Sequence, residues 1–194
     1  VTRRIVSLEL VFDDDTDAAV RGEWERLSAA DLPSQADHTG ASNRPHTTLL
    51  VRPEPEPADD APPAVMIDDR DAGPLAAMLP MPVVLGAPVL FGRGERRVLA
   101  RLVVPSAPLL QLHAAVHAAA GPGDDVDHTV PGAWTPHVTL ARRVPLERMG
   151  EALAALADEG GGEDLDARVV GIRRWDAAAR EISTVVGRGT LETC

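Results

Sequence analysis

Two short segments of this chain combine a histidine and a threonine at the same spacing. The first is Pro45-His46-Thr47-Thr48-Leu49 and the second is Pro136-His137-Val138-Thr139-Leu140. Because alternate side chains of a strand share one face about 7 Å apart, each segment presents one imidazole beside one hydroxyl. Imidazole exchanges a proton near neutral pH, and a hydroxyl hydrogen-bonds an anion. Two such strands facing each other would form a cleft able to cleave or transfer a phosphodiester without a metal.

The composition limits which chemistry and which partners are available. The chain has 194 residues, of which 44% are hydrophobic and 25% charged, values typical of one globular domain. Every basic residue is arginine, so a lysine nucleophile is excluded. The formal net charge of −11 does not attract a long polyanion, so a phosphate ligand is expected to be small or to meet a local arginine cluster. The lone cysteine, Cys194, cannot form an intramolecular disulfide, which favours a reducing, cytoplasmic location.

Hydrophobic periodicity predicts the elements that must position the two motifs. In the first strand, Ser7 and Glu9 share one face with Ile5 and Val11, and the other face is wholly apolar. One helix is predicted between Asp13 and Pro33. The other predicted helices are 75–79, 106–120 and 146–157, and the predicted strands are 5–12, 46–51, 83–91, 98–104, 137–141, 165–175 and 180–187.

The order of these elements predicts an α+β fold rather than a parallel α/β fold, because strands and helices do not strictly alternate. We expect antiparallel sheets facing a central cleft, with helices outside and one motif strand from each half. Residues 1–194 are expected to form a single bilobal domain, interrupted by an acidic, proline-rich linker at about 53–72. No signal peptide is recognised, and four prolines within the uncharged stretch 72–92 argue against a membrane helix.

The two motifs resemble the paired His-x-Thr signatures of the 2H phosphoesterase superfamily. The resemblance is strongest to its bacterial, LigT-like branch of 2′-5′ RNA ligases and RNA 2′,3′-cyclic phosphodiesterases. The second motif, which runs from Trp134 to Arg142, is the better match. The resemblance extends to the order of elements and so spans most of the chain. Two copies in strand context are far more specific than a single His-x-Thr would be.

This resemblance implies a bilobal, pseudo-twofold fold and metal-independent chemistry without a cofactor. It implies that His46 and His137 are the catalytic pair, and that Thr48, Thr139 and Arg142 bind phosphate. The implied reaction is hydrolysis of a 2′,3′-cyclic phosphate on an RNA end or a small nucleotide, or its reversal as 2′-5′ ligation. We assign His137 as base and His46 as acid for hydrolysis. We expect a monomer with no membrane and no obligate protein partner.

Two rival functions remain open at this point. A non-catalytic nucleotide-binding module on the same fold is the main alternative, although a pure binder would not need two proton carriers. A metal hydrolase using both motif histidines would need a third ligand at metal-site spacing, and the sequence offers none. Resistance of the activity to a chelator would separate the metal-independent enzyme from the metal hydrolase.

Other polar residues have structural as well as functional interpretations. His113 and His117 lie four apart on one helix, a spacing that suits zinc, but we favour a structural or solvent-facing role. Trp134 is expected to pack beneath the second motif. Four arginines near one turn are equally consistent with a phosphate patch and with a solvated turn: Arg93, Arg96, Arg97 and Arg101. An acidic loop is interpreted as solvated: Asp124, Asp125, Asp127 and His128.

Overall fold

A computed structural model describes residues 4–40, 42–54, 67–157 and 163–187 of the chain. Within these ranges lie seven strands: β1 (Arg4–Phe12), β2 (His46–Glu54), β3 (Met81–Phe91), β4 (Arg96–Val103), β5 (His137–Pro145), β6 (Leu165–Asp176) and β7 (Glu181–Gly187). The four α-helices in the same ranges are α1 (Asp14–Ala29), α2 (Asp69–Ala76), α3 (Ala107–Ala120) and α4 (Met149–Ala157). The predicted α+β class is confirmed.

The structure changes the bounds of one predicted helix. The helix predicted over 75–79 begins earlier, because Asp68 caps it by accepting hydrogen bonds from the backbone N–H groups of Arg70 and Asp71. Most of the predicted acidic linker, residues 55–66, lies outside the described residues, as does Cys194.

The seven strands join one antiparallel sheet in the order β2-β1-β6-β3-β4-β5, with β7 also paired to β6. Strand β6 is the centre of the sheet, since its first half pairs with β3 and its second half with β7, while β1 lies along its other edge. The two motif strands, β2 and β5, are the two ends of this order. They nevertheless contact each other, so the sheet bends until its ends meet.

The apolar core lies on the face of the sheet that the helices cover. Leu8, Leu10 and Phe12 of β1 point into it, as the alternation of the sequence predicts. Helix α1 packs on β5 and β6, whereas α3 packs on β2. Helix α1 follows β1 along the chain but packs on β5, and α3 follows β4 but packs on β2. Each of these helices therefore supports the motif strand of the other half of the chain. None of the helices in the described part of the chain is long and apolar enough to cross a membrane.

A buried ion pair fixes α1 against the second half of the sheet. Glu23 of α1 and Arg101 of β4 are each 1% exposed, and Arg101 Nε lies 2.8 Å from Glu23 Oε1. The same guanidinium donates to the carbonyl of Gly86 at 3.1 Å. Buried charges require such complete pairing because their desolvation is costly. Arg101 therefore belongs neither to a phosphate patch nor to a solvated turn, and both interpretations given to it above are wrong.

Candidate active site

Each motif histidine begins its strand and is anchored in the same way. His46 Nδ1 lies 2.7 Å from the carbonyl oxygen of Arg44, and His137 Nδ1 lies 2.7 Å from that of Thr135. A carbonyl can only accept, so Nδ1 carries the proton that is donated in both rings. The other ring nitrogen, Nε2, is thereby left to accept or give a proton.

The motif threonines follow on the same faces of their strands. Thr48 and Thr139 are half-buried, whereas the intervening Thr47 and Val138 are buried on the opposite face. Among the described residues, neither the Thr48 hydroxyl nor the Thr139 hydroxyl forms a hydrogen bond to protein. Both hydroxyls are therefore available to donate to an anion lying beside the imidazoles.

A β-bulge follows the threonine in both strands. In β2 the pairing passes from Glu9↔Thr48 to Leu8↔Leu50, which leaves Leu49 as the extra residue. In β5 the corresponding extra residue is Leu140, between the Thr139 and Ala141 pairings. A bulge of one residue reverses the alternation of faces beyond it.

The second bulge explains the position of Arg142. Arg142 is three residues after Thr139, so simple alternation would put the two side chains on opposite faces. The extra residue at Leu140 restores Arg142 to the threonine's face, and Arg142 lines the cleft there. Val51 takes the equivalent position after Thr48 and also lines the cleft.

Two helical histidines satisfy the backbone of the first bulge. Nε2 of His113 lies 3.0 Å and Nε2 of His117 lies 3.2 Å from the carbonyl oxygen of Leu49. A bulge disrupts the ladder locally, so its backbone polar groups need partners from elsewhere. Burial lowers the pKa of His113 below the ordinary value, and the charge of the neighbouring His117 lowers it further. The histidine pair thus has the structural role that we favoured over zinc binding.

Two tryptophans brace the motif strands in a crossed arrangement. Trp24 of α1 donates its indole N–H to the carbonyl of Thr139 at 3.1 Å, and Trp134 donates to the carbonyl of Thr48 at 2.8 Å. Trp134 also stacks on His113, with ring centroids 3.9 Å apart. Trp134 therefore packs beneath the first motif, and the prediction that it lies beneath the second is wrong. The reason is that the segment preceding β5 crosses to the facing strand.

The surroundings of the two motif histidines differ. Across β1 and β6, Thr48, Glu9 and Arg173 form one row of cross-strand neighbours. Glu9 Oε1 lies 3.8 Å from His46 Nε2, and Glu9 Oε2 lies 2.8 Å from Arg173 Nε. The sequence marked Glu9 only as a charge within an apolar strand, and it gave no sign that Arg173 would pair with it.

His137 has an apolar and cationic environment instead. Its ring lies 4.4 Å from that of Phe91, centroid to centroid. Burial lowers the pKa of His137 despite the hydrogen bond to Thr135, and the charges of His46, His128 and Arg142 lower it further.

A cleft of about 1280 Å³ runs from His46 over the open face of β1, β6 and β7. Thr48 and Arg142 line it, together with a row formed by Ser7, Trp175 and Ile182. His38 and Asp37 of the loop before β2 contribute to its rim. His137 and Thr139 lie on β5, the strand facing His46. The structure thus gathers the predicted site residues on two contacting strands, and their roles stay predictions.

The remaining candidate polar groups lie apart from this cleft. Asp125 pairs with Arg52 at 2.6 Å and with His117 at 3.1 Å, so the acidic loop is partly engaged in structure rather than wholly solvated. Arg96 donates to the carbonyl of Arg143 on the exposed rim of β4 and β5. Within the described ranges, no group of three or more His, Cys, Asp or Glu side chains is arranged to hold a metal ion.

A sequence model of the 2′-5′ RNA ligase superfamily matches residues 15–179, which is most of the chain. The chain belongs to this superfamily. No curated protein matches its sequence. Its membership therefore rests on the family-wide pattern rather than on a single near relative.

Solved structures similar to this superfamily member include Usb1 of Kluyveromyces marxianus with uridine monophosphate. The two share 12% identity and a TM-score of 0.50, covering 93% of this chain and 97% of that one. E. coli LigT complexed with 3′-AMP shares 16% identity and a TM-score of 0.47, covering 95% of each chain. The likeness to Usb1 is one of fold.

The crossed indole bonds yield a stability prediction. Trp134→Phe keeps an aromatic ring against His113 but removes the N–H that satisfies the carbonyl of Thr48. Leaving a buried acceptor unpaired should lower the free energy of unfolding by about 1–3 kcal/mol, measured by urea denaturation. Trp175→Phe is the matched control, because within the described residues its indole N–H has no hydrogen-bond partner. Equal losses in the two variants would contradict the bracing role.

Proposed function

We propose that this member of the superfamily hydrolyses 2′,3′-cyclic phosphates on RNA ends or small nucleotides, without a metal. The observation that carries the proposal is the matched pair of motifs on contacting strands. Each motif offers an imidazole anchored through Nδ1 and an unbonded threonine hydroxyl on the same face. A reaction that needs one proton acceptor and one proton donor on opposite sides of a phosphorus atom suits this pair.

The proposed roles follow from the proton balance of hydrolysis. Water attacks phosphorus and passes a proton to a neutral imidazole, while the second imidazole protonates the ribose oxygen that leaves. His137 suits the base, because its lowered pKa keeps it neutral near physiological pH. His46 is then the acid. Ligation through a 2′-5′ bond would run the same steps in reverse, with the two roles exchanged.

Charge on the phosphate needs its own partners. The hydroxyls of Thr48 and Thr139 are the proposed donors to the non-bridging oxygens, and Arg142 supplies a positive charge from the cleft wall. Donors that are already positioned stabilise developing charge without reorganising during the reaction. This arrangement supports binding of a compact phosphate despite the net charge of −11.

The cleft also offers room for a nucleoside beside the phosphate. Trp175 lines it between Ser7 and Ile182, and its indole is half-buried. Bases stack on aromatic side chains with little dependence on sequence. We assign the base of the substrate to the face of Trp175, which distinguishes a nucleotide substrate from a simple cyclic phosphate.

Replacing either motif histidine tests the catalytic assignment. His46→Ala and His137→Ala should each lower kcat on 2′,3′-cyclic nucleotides about 10²–10⁴-fold, because each removes one arm of acid–base catalysis. Assays in EDTA with product read by ³¹P NMR would measure this. Gln111→Ala, an exposed control on α3, should stay within a factor of about two. Unchanged rates in both alanine variants would end the assignment, and no turnover by the wild type would favour a binding module.

The lowered pKa of His137 has a consequence for pH dependence. A base works only when neutral, so the rate rises with pH as His137 loses its proton. Because burial lowers its pKa from the ordinary 6.5, the ascending limb of the bell-shaped profile should lie below pH 6.5. A profile of kcat/KM from about pH 4 to pH 10 would measure it, as this ratio reports the free enzyme. An ascending limb above the ordinary histidine value would contradict the role of His137.

If the base of the substrate stacks on Trp175, replacing Trp175 should weaken substrate binding and leave the chemical step unchanged. Trp175→Ala should raise KM for cyclic nucleotides about 5- to 150-fold, corresponding to the about 1–3 kcal/mol that a stacked base contributes. Trp175→Phe should keep most of the affinity, because the phenyl ring retains a stacking face. Steady-state kinetics on four cyclic nucleotides would measure both variants. A KM unchanged in Trp175→Ala would place the base elsewhere.

A further inference from the structure

Glu9 is a carboxylate buried in the floor of the candidate active site. It lies on β1, between His46 of β2 and Arg173 of β6, and it is 4% exposed. It interrupts an otherwise apolar strand, and burying a charge there costs free energy unless partners compensate. Neither the two-histidine reaction nor phosphate binding, as proposed above, uses it. Its position beside only one of the two histidines calls for a role.

The partners of Glu9 keep it ionised. Ser7 donates its hydroxyl to Oε1 at 2.6 Å, and Arg173 Nε donates to Oε2 at 2.8 Å. Burial alone raises the pKa of Glu9, but the charges of His46 and Arg173 and these hydrogen bonds outweigh it, so the pKa lies below the ordinary value. Arg173 is itself held in place by donating to the carbonyl of Ser42 at 3.2 Å.

The distance from Glu9 to His46 is informative in its own right. At 3.8 Å, Glu9 Oε1 lies within ion-pair range of His46 Nε2 but beyond the roughly 2.7–2.9 Å of a charge-assisted hydrogen bond. The carboxylate can therefore attract an imidazolium without capturing its Nε2 proton. That proton stays available to an atom of the substrate.

The facing histidine has no such neighbour. Within the described part of the chain, no carboxylate lies within ion-pair distance of His137. Its charged neighbours are the cationic Arg142 and the histidines His46 and His128. The remaining charged groups on the cleft wall around His46 are Arg173, Arg180, Asp37 and His38. Arg173 Nη2 itself lies 3.5 Å from His46 Nδ1, so His46 faces the ion pair of Glu9 and Arg173, and Glu9 is the carboxylate that distinguishes its surroundings from those of His137.

We propose that Glu9 is a positioning residue that sets the direction of proton transfer, because its carboxylate lies beside His46, the proposed acid, and not beside His137, the proposed base. This inference rests on the hydrolysis proposed above. In the step, the water oxygen bonds to phosphorus and its proton passes to His137 Nε2. The bond from phosphorus to one ribose oxygen breaks, and the proton on His46 Nε2 passes to that oxygen. The product is a phosphomonoester and a free hydroxyl, and solvent returns both imidazoles to their starting states.

The role of Glu9 can be separated from a merely structural one by the leaving group. A ribose oxygen needs an acid to leave, whereas a 4-nitrophenolate, the anion of a far stronger acid, leaves without one. Glu9→Gln keeps the size and the hydrogen-bonding of the side chain but removes its charge. It should lower kcat on 2′,3′-cyclic CMP about 10- to 100-fold. On thymidine 3′-(4-nitrophenyl phosphate) its rate should stay within about threefold of wild type.

Three comparison variants make the result specific. His46→Ala should share the pattern of Glu9→Gln, since both act on the acid, whereas His137→Ala should lose activity on both substrates. Glu151→Gln, which removes an exposed carboxylate from the surface pair with Arg148, should change neither. Retained activity of Glu9→Gln on the nitrophenyl ester would also show that the variant is folded.

The split between the two substrates is the decisive readout, because a merely structural defect would lower both rates together. Parallel losses on both substrates would therefore overturn the proposal. If the wild type turned over neither substrate, the proposed function would fail instead. The pairing would then be judged from the ¹⁵N NMR signals of the His46 ring at a fixed pH, and signals identical in wild type and Glu9→Gln would overturn it.

Discussion

The site depends on one constraint: two strands that are the opposite ends of a single sheet must be brought into contact with each other. Hydrogen bonding within the sheet cannot impose this, because β2 and β5 stand first and last in its order. The crossed indole bonds can, since each tryptophan belongs to a segment from one half and donates to the motif threonine of the other. The buried pair of Glu23 and Arg101 fixes α1, and hence Trp24, to the second half of the sheet. Groups outside the cleft thus hold the two motif strands together.

The two motif strands have the same backbone arrangement, but different side chains surround their histidines. Both histidines bond through Nδ1 to the carbonyl two residues earlier, and both strands bulge directly after the motif threonine. The first bulge carries Val51 and the second carries Arg142 onto the cleft wall. A symmetric pair of imidazoles has no preferred direction for a proton, whereas the ion pair of Glu9 and Arg173 beside His46 makes the surroundings of the two rings unequal. The repeated backbone therefore positions the two imidazoles alike, and a few charged side chains make the two histidines differ electrostatically.

Much of this could be predicted from the sequence because it follows from local periodicity. The alternation of β1 placed Ser7 and Glu9 on the face opposite the apolar core, and both line the cleft. The spacing of the paired motifs was enough to indicate the superfamily. Three features could not be predicted, and each depends on contacts distant in the chain. The bulge that turns Arg142 toward the cleft is set by pairing with β4, Arg101 is buried by a partner 78 residues away, and Trp134 crosses to β2. The periodicity of a sequence indicates which face of a strand is buried, but not which residues of other elements contact that strand.

The distribution of charge bears on the kind of substrate that this cleft can hold. The net charge is −11, yet Arg142 stands on the cleft wall with no ion pair within the described residues. Arg173, by contrast, is already neutralised by Glu9 at 2.8 Å. At physiological ionic strength a charge is felt over about 8 Å, so a single phosphate beside Arg142 responds mainly to that arginine. A long polyanion would extend beyond this range and meet the repulsion that a net charge of −11 produces. The proposed substrate, a 2′,3′-cyclic phosphate, occurs at the end of a strand or on a free nucleotide, so it would meet less of this repulsion than a phosphodiester in the interior of a strand.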